Sequence, residues 1–346
     1  MDRLRCGAVL VACAFACTIA CVAREVRVLT LDGGGIRGVL SLEVLRRLEK
    51  DAKVDLTEDF DLYAGTSTGA IIAVGIASGT SVDVLENAYK NLGSKVFGTE
   101  QGWSLFQSGY SGEVLEEACE EYLKICGLHA DARLGDLPGK VVIVAVDLKD
   151  EKTKRPRMSF FENVTPAGGE VKVLDALIRS TAAPTYFPAS EGYVDGGLGM
   201  RDPALAGLIF ASTPRQDLRE VRLLSIGTGY SPEEAIEGSP DWGTVQWLLT
   251  GGYHSEASPL VELLFDLPDT VSSQVTRGLL GDRYRRVDLP LLAEIELDDY
   301  EKIDSLITYT RMLLDREGDQ WKKTISWVRE HITGKETRPS ASDRES

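Results

Sequence analysis

Residues 60–77 read FDLYAGTSTGAIIAVGIA, and Ser67 lies at the centre of the pattern Gly65-Thr66-Ser67-Thr68-Gly69 within them. The mostly apolar run Phe60–Ala64 is typical of a strand, and the apolar run Ala70–Ala77 is rich in helix formers. A strand, a sharp turn and a helix in this order hold a serine hydroxyl exposed as a nucleophile, with glycines beside it because a side chain would clash. The segment therefore predicts a strand–turn–helix unit of an α/β fold with Ser67 as a nucleophile.

Two further glycine-rich motifs lie upstream and downstream of this segment. The strand-like run Val26–Leu31 ends in Asp32-Gly33-Gly34-Gly35-Ile36-Arg37-Gly38, where an amphipathic helix pattern begins. Far downstream, the short β-like run Tyr193-Val194 leads into Asp195-Gly196-Gly197. A glycine-rich loop, a nucleophile turn and an Asp-Gly-Gly motif together predict three parts of one hydrolase site.

A serine hydroxyl is a poor nucleophile unless a base takes its proton. The chain has three histidines, none of them in a motif: His129, His254 and His331. We therefore expect the carboxylate of Asp195, placed at a strand end, to be the base. A Ser–Asp dyad requires this carboxylate within about 2.6–3.2 Å of the Ser67 hydroxyl.

The glycine-rich loop suits the negative charge that develops during acyl transfer. Gly33, Gly34 and Gly35 offer successive backbone N–H groups at the start of a helix, whose dipole favours an anion. They are the predicted oxyanion hole, in which one donor is typically worth about 10²–10³ in turnover. Arg37 lies beside the loop, and we expect it to orient the loop through carbonyl groups rather than to take part in the chemistry.

The same loop also fits the dinucleotide fingerprint, since Gly33, Gly35 and Gly38 follow a strand and open a helix. That fingerprint expects an acidic residue at the end of the second strand. The nearby acidic residues all precede or begin that strand: Asp51, Asp55, Asp59 and Asp61. A nucleotide-binding function would also leave the serine turn unexplained, so it is the weaker interpretation.

The order of the elements indicates an α/β layered domain with a largely parallel sheet. Val141–Val146 is a continuous apolar run typical of a strand buried on both faces, and Val221–Ile226, which ends at Gly227-Thr228-Gly229, is predicted as a further buried strand. We further predict helices over Val82–Leu92, Glu113–Leu123 and Val173–Arg179. Gly93–Gly112, between the first two of these helices, is predicted to be a loop or flap. Residues 240–285 are apolar and glycine-punctuated, which fits either a lipid-facing lid or helices that cover the sheet. Nothing between 24 and 331 resembles a linker, so residues 24–331 are expected to form one catalytic domain.

The two ends of the chain differ from this domain. Residues 7–23 carry no charge and follow Arg3 and Arg5, which is the pattern of a signal peptide or an N-terminal anchor. Export or membrane anchoring through this segment is the preferred interpretation, and a cytoplasmic protein with an incidental extension is the alternative. At the other end, residues 332–346 form a polar segment that we expect to be disordered.

The composition of the chain argues against some classes of binding partner. A formal net charge of −16 argues against a nucleic-acid partner and against a basic patch that docks on anionic lipid. Four of the six cysteines lie in residues 1–23, and no C-x-x-C motif suggests a metal site, so Cys119 and Cys126 are expected to be reduced and packed.

The three motifs in this order resemble those of the patatin-like phospholipase family. Two supporting stretches match as well: Ala183-Pro184-Thr185-Tyr186-Phe187-Pro188 and Leu224-Ser225-Ile226-Gly227-Thr228-Gly229. The resemblance runs from about residue 26 to 290. It implies a three-layer α/β fold related to cytosolic phospholipase A2 catalytic domains, with Ser67 as nucleophile, Asp195 as base and Gly33–Gly35 as oxyanion hole. It further implies a calcium-independent hydrolase without a cofactor, which acts on phospholipids, lysophospholipids or other acyl lipids at a membrane surface.

One departure from the family pattern follows the Asp-Gly-Gly motif. Members often carry two asparagines before a proline, whereas this chain reads Met200-Arg201-Asp202-Pro203. The loop that supports Asp195 is therefore expected to be held differently. Two other functions stay open on the same fold: a non-catalytic lipid-binding or storage protein, and an effector phospholipase of bacterial antiphage defence, as some relatives are.

Overall fold

The computed structural model describes residues 25–98, 108–212, 217–230, 243, 244, 247, 259–291, 295–316 and 318–334. Their centre is a seven-stranded sheet, ordered β4-β3-β2-β1-β6-β7, with β5 paired to β3 off this path. The strands are β1 Val26–Leu31, β2 Leu62–Thr66, β3 Val141–Asp147, β4 Arg157–Glu162, β5 Tyr193–Asp195, β6 Val221–Ile226 and β7 Tyr284–Val287. Strands β3, β2, β1, β6 and β7 run parallel to one another, whereas β4 and β5 each run antiparallel to β3.

Helices connect the strands and cover the sheet. The α-helices are α1 Gly38–Ala52, α2 Thr68–Ala77, α3 Val82–Phe97, α4 Gly112–Ile125, α5 Val173–Thr181, α6 Gly197–Met200, α7 Ala204–Ala211, α8 Pro259–Leu280, α9 Ile303–Arg316 and α10 Gly318–His331. Short 3-10 helices lie at Gly35–Arg37, Leu134–Asp136, Gly168–Glu170, Leu218–Glu220, Gly281–Arg283 and Tyr300–Lys302.

Two hydrophobic cores lie on opposite faces of the sheet, because successive strand residues point to opposite sides. Leu29 and Leu31 of β1 pack with the larger core, to which α1 to α5, α9 and α10 contribute. Val28 of the same strand packs with the smaller core beside Ala204 and Leu208 of α7. The result is the predicted three-layer α/β arrangement with a mostly parallel sheet.

Some element boundaries differ from those predicted. The strand predicted from Phe60 begins at Leu62. The backbone N–H of the preceding Asp61 still donates to the carbonyl of Arg27, but the Arg27 N–H donates to the Asp61 carboxylate and not to a backbone carbonyl, so the regular ladder starts one residue later. The loop predicted from Gly93 begins later, since α3 continues to Phe97 and buries Val96 one turn after Leu92. Residues 99–107 of the predicted flap lie outside the described residues.

Other differences concern elements that the patterns did not reveal. Strands β4 and β7 were not predicted, and β4 adds an antiparallel edge to the sheet. The described part of residues 240–285 includes α8, which packs on α6, α7 and β7 as a covering helix. Cys119 and Cys126 are both unpaired and buried.

Candidate active site

Ser67 occupies a sharp turn between β2 and α2. Its backbone is held at φ 53° and ψ −122°, a conformation that non-glycine residues rarely adopt and that surrounding contacts must maintain. The flanking glycines allow the close approach that produces this turn: a Cβ on Gly65 would lie 2.3 Å from the carbonyl oxygen of Gly69, and one on Gly69 would lie 2.0 Å from that of Leu31. Helix α2 starts directly after Ser67, so its positive end faces the nucleophile.

The topology of β3 brings Asp195 to this turn. Val144 of β3 pairs with Thr66, the last residue of β2, and the next residue, Ala145, pairs with Asp195, the last residue of β5. Strand β4 occupies the other side of β3 over the same residues. Strand β5 therefore continues in line with β2 at the point where the chain leaves β2 through Ser67.

The two side chains meet in a short hydrogen bond. The Ser67 Oγ donates to Asp195 Oδ2 at 2.6 Å. The other carboxylate oxygen, Oδ1, accepts from the backbone N–H of Gly197 at 2.7 Å, and the Asp195 backbone N–H donates to the carbonyl of Ala182 at 3.0 Å. The backbone and the Oδ1 atom of Asp195 are thus both fixed, which holds Oδ2 against the serine hydroxyl.

Burial changes the acidity of this carboxyl group. Asp195 is only 6% exposed, and removal from water raises its pKa to about 6, against the opposing effects of the Ser67 hydroxyl and the Gly197 N–H. A carboxylate with this pKa is ionised at neutral pH and is a stronger base than an exposed aspartate. The geometry and the acidity both suit transfer of a proton from Ser67.

The hydroxyl of Ser180, in α5, fixes the backbone of the nucleophile. It accepts a hydrogen bond from the Ser67 N–H at 2.8 Å and donates to the carbonyl of Val144 at 2.6 Å. Ser180 is fully buried and so bridges α5, β3 and the turn. Sequence reasoning missed this residue, because a serine near the end of a helix carries no motif.

Ser180→Ala is expected to lower kcat for a soluble ester about tenfold with little change in KM, because the turn loses a support and not a reacting group. The buried N–H and C=O left without this partner should cost about 1–3 kcal/mol in the free energy of unfolding. Steady-state kinetics and denaturant unfolding of the purified variant measure both. An unchanged kcat in a destabilised variant would show that Ser180 only supports the fold.

The glycine-rich loop passes beside Ser67 with its carbonyl groups held by protein donors. Gly33 lies close to the nucleophile, since a Cβ there would be 3.3 Å from the Ser67 Cβ. The Gly33 carbonyl accepts a hydrogen bond from Thr228 Oγ1 at 2.8 Å, and the Gly34 carbonyl accepts from Arg37. The Gly35 carbonyl accepts from both Thr68 Oγ1 and the Tyr89 hydroxyl. Arg37 thus orients the loop through a carbonyl group.

The three amides of this loop are not equivalent. The Gly33 N–H donates to the carbonyl of Arg201 at 3.0 Å. Within the described residues, the N–H groups of Gly34 and Gly35 have no acceptor. Gly35 adopts φ +54°, and a Cβ on it would lie 2.1 Å from the carbonyl oxygen of Leu297, so only glycine fits there. Gly38, at the end of the motif, lies against Thr68 and the start of α2.

Residues 200–203, where the sequence departs from the family pattern, connect several parts of the site. This segment is fixed by its backbone carbonyls, because Met200 accepts from Thr66 Oγ1 at 2.8 Å and Arg201 accepts from the Gly33 N–H. The Asp202 carboxylate caps the N–H of Ala204 at 2.9 Å. The Asp195 loop, the glycine-rich loop and the nucleophile strand are therefore joined at this segment.

A buried ionic cluster lies beneath the glycine-rich loop. Arg286 of β7 binds both oxygens of Asp32, at 3.2 and 2.6 Å, and also contacts the carboxylates of Asp202 and Asp288. Burial raises the pKa of Asp32 well above its ordinary value, and Arg286 opposes that change. Asp32 thus anchors the start of the loop to β7. Asp32 was predicted as part of the motif, whereas no pattern in the sequence indicates its partner Arg286.

The described histidines lie away from the dyad. His129 is exposed after α4, and His331 stacks on Trp327 near the end of α10, with ring centroids 4.8 Å apart. Neither forms a hydrogen bond with Ser67 or Asp195. His254 lies outside the described residues, as do residues 7–23. Within the described part of the chain, no helix combines the length and the apolarity needed to cross a membrane.

Comparison with known proteins shows which family the chain resembles. The family model for patatin-like phospholipases matches residues 29–208. The chain is 30% identical to the cGAMP-activated phospholipase of Pseudomonas aeruginosa over 278 residues, which cover 75% of this chain and 77% of that protein. It is 28% identical to Protein teg of Priestia megaterium, over 82% of this chain and 93% of teg. It is also 28% identical to the calcium-independent phospholipase A2-gamma of Mus musculus, over 90% of this chain and 41% of that protein.

Proposed function

The chain belongs to the patatin-like phospholipase family, and from this premise we propose that it hydrolyses carboxylic ester bonds of acyl lipids through an acyl–serine intermediate. The observation that carries the proposal is the 2.6 Å hydrogen bond from Ser67 Oγ to Asp195 Oδ2. Substrates of the phospholipase A and lysophospholipase type fit the family, and the names of two of the relatives support that class.

In the proposed reaction, Asp195 accepts the proton of Ser67 as Oγ attacks the ester carbonyl carbon. The N–H groups of Gly34 and Gly35 stabilise the oxyanion of the tetrahedral intermediate, while Gly33 contributes the space beside the nucleophile. The C–O bond to the leaving group then breaks, and Asp195 returns the proton to the departing alcohol. Water, activated by the same carboxylate, finally attacks the acyl–serine and releases the fatty acid.

A fluorophosphonate probe and a substrate panel test this proposal. The purified protein should be labelled at Ser67 and should cleave at least one member of a set of phospholipids, lysophospholipids and short-chain p-nitrophenyl esters. Because no proposed step uses a metal ion, EDTA should leave the rate unchanged. A folded protein that is neither labelled nor active would favour the alternative of a lipid-binding or storage protein.

The raised pKa of Asp195 predicts the pH dependence of the reaction. Only the ionised carboxylate can accept the proton of Ser67, so kcat/KM should rise about tenfold per pH unit below pH 6 and level off above it. The folded protein holds this proton more tightly than the unfolded chain, so this group's contribution to stability should fall as pH rises from about 4 through 6. A soluble p-nitrophenyl ester assayed from pH 4.5 to 8 measures the profile, and a flat profile would contradict Asp195 as the base.

We also propose that residues 7–23 export or anchor the protein. The segment is uncharged and precedes β1 closely. Full-length protein should therefore enter the membrane fraction or be cleaved near residues 20–23, whereas residues 24–346 should be soluble and active on soluble esters. Cell fractionation of both proteins is the measurement. Intact full-length protein in the soluble cytoplasmic fraction would contradict export and anchoring.

A further inference from the structure

The second half of α8 has its polar and apolar sides reversed. Of the four buried side chains in residues 267–280, three are polar, Asp269, Ser272 and Thr276, and one is apolar, Leu280 at the end of the helix. Its large apolar side chains are exposed: Leu267 by 49%, Val271 by 54%, Val275 by 41% and Leu279 by 49%. A surface helix normally turns its apolar side to the core. The reversed arrangement therefore requires an explanation for each side.

Contacts with the catalytic loops account for Asp269 and Ser272 on the polar side. Asp269 accepts from the Asp202 N–H at 2.8 Å and forms an ion pair with Arg201, whose carbonyl binds Gly33 next to the nucleophile. One turn further along, the Ser272 hydroxyl accepts from the N–H of Leu205 at 3.1 Å. Helix α8 thus holds the segment that joins the glycine-rich loop to the Asp195 loop. Within the described residues, no such contact accounts for the apolar side.

The apolar side is a continuous row. Leu267, Val271, Val275 and Leu279, which we call the α8 row, recur every four residues and so follow one another along the helix surface over about 18 Å. Other exposed apolar side chains of similar exposure stand singly on separate helices, such as Val84, Ile125 and Met312. Single exposed apolar residues are ordinary, whereas a row indicates contact with something apolar.

The charge distribution around the α8 row is unusual for this protein. The chain has 54 acidic residues and a net charge of −16. Nevertheless α6 and α7, which pack against α8, contain no charged residue, and each exposes an apolar side chain, Leu198 and Ile209. Residues 267–280 include two charged residues, the buried Asp269 and the exposed Arg277. The exposed surface of α8 between residues 267 and 280 therefore carries no carboxylate to repel a phosphate headgroup, and its one exposed cation is Arg277, whose guanidinium lies 5.2 Å from the centre of the Tyr284 ring.

We propose that the α8 row is the face through which the protein docks on a zwitterionic phospholipid bilayer. The proposal rests on the proposed function, because the bilayer is the source of the acyl-lipid substrate. The row would enter the headgroup–acyl boundary, Arg277 would lie among the phosphates, and Asp269 on the opposite side of the same helix would hold the catalytic loop beside the lipid. With a net charge of −16, apolar insertion and not electrostatic attraction supplies the binding.

A tryptophan in the row gives a local test. In full-length Ser67→Ala protein, Val275→Trp is compared with Met312→Trp, a matched site on α9 that is 44% exposed. Vesicles of brominated phosphatidylcholine should quench the added fluorescence of Val275→Trp and leave that of Met312→Trp unchanged. Both variants carry the same native tryptophans and the same residues 1–24, so the difference reports the row alone.

Other outcomes would overturn the proposal. Equal quenching at both sites, or none, would exclude this face as the docking surface. Emission from Val275→Trp that is already blue-shifted without vesicles would show that another segment of the chain or a second copy covers the row, and sedimentation would distinguish these two.

A loss-of-binding pair complements the tryptophan test. Val271→Gln, Val275→Gln and Leu279→Gln together should lower the vesicle partition coefficient at least about tenfold, because the inserted apolar groups are lost. Val84→Gln, Ile125→Gln and Met312→Gln together are the matched control and should leave it unchanged. Binding in the Ser67→Ala background requires no turnover, and Ser67 labelling is measured separately in the parent protein. Failure of the docking proposal is therefore distinguishable from failure of the proposed function.

Discussion

Ser67→Ala should lower the turnover of a soluble ester by about 10⁴-fold or more and abolish covalent labelling by a fluorophosphonate. The proposed reaction passes through a bond between Oγ and the acyl carbon, and no other hydroxyl is hydrogen-bonded to the Asp195 carboxylate in the described part of the chain. The loss should appear in kcat, because the acyl–enzyme cannot form, while substrate binding changes little. Steady-state kinetics and mass spectrometry of the labelled protein measure it.

The fold should tolerate this change. The Ser67 hydroxyl is half-buried and forms one side-chain hydrogen bond, whereas the turn itself is held by the contacts of Gly65 and Gly69. Ser78→Ala is the matched control, since this serine lies at the other end of α2 and bonds locally to the carbonyl of Gly75. It should keep full activity. More than about one per cent of activity in purified Ser67→Ala would contradict the assignment of the nucleophile.

The nucleophile turn was predictable because its determinants are local. Gly65 and Gly69 are needed for contacts within a few residues and with the neighbouring strand β1, so the pattern identifies the turn before the tertiary structure is known. The strands β1 and β6 were predicted with their observed bounds, because each is a mostly apolar run followed directly by a glycine-rich turn. The prediction of a three-layer α/β fold followed from these elements and from the family resemblance.

The supports of the site were not predictable, because they depend on residues distant in sequence. Ser180 acts on Ser67 across 113 positions, and Arg286 binds Asp32 across 254. Likewise, β5 has only three residues, and its position in line with β2 follows from the pairing of β3. No periodicity or spacing reveals such contacts, since each depends on the assembled sheet.

The sequence of the segment that contains α8 allowed two interpretations. Its apolar residues fitted either a lipid-facing lid or a helix that covers the sheet, and the sequence pattern alone does not separate the two. The structure separates two sides of one helix, with Leu280 packed in the smaller core and Val271 and Val275 exposed. Hydrophobic content indicates that a segment meets something apolar, and only the packing shows on which side.

Asp195→Asn should lower kcat/KM for a soluble ester by about 10³–10⁴-fold, because the amide has nearly the same shape as the carboxyl group but cannot take a proton at neutral pH. Its oxygen can still accept from the Gly197 N–H, so the loop should keep its position and the circular dichroism spectrum should stay native. The activity rise near pH 6 should vanish with the carboxylate, which separates a lost base from a displaced loop.

The histidines supply the decisive comparison for the base. Replacing His129, His254 and His331 together by glutamine should leave substantial activity. In the described part of the chain, the Ser67 hydroxyl is hydrogen-bonded to Asp195 and to neither of the two described imidazoles. If the triple variant is folded but inactive while Asp195→Asn retains activity, a histidine takes the proton and the dyad is wrong. If Asp195→Asn is inactive and the triple variant is active, the 2.6 Å hydrogen bond is the path of the proton, and the carboxylate alone activates the nucleophile.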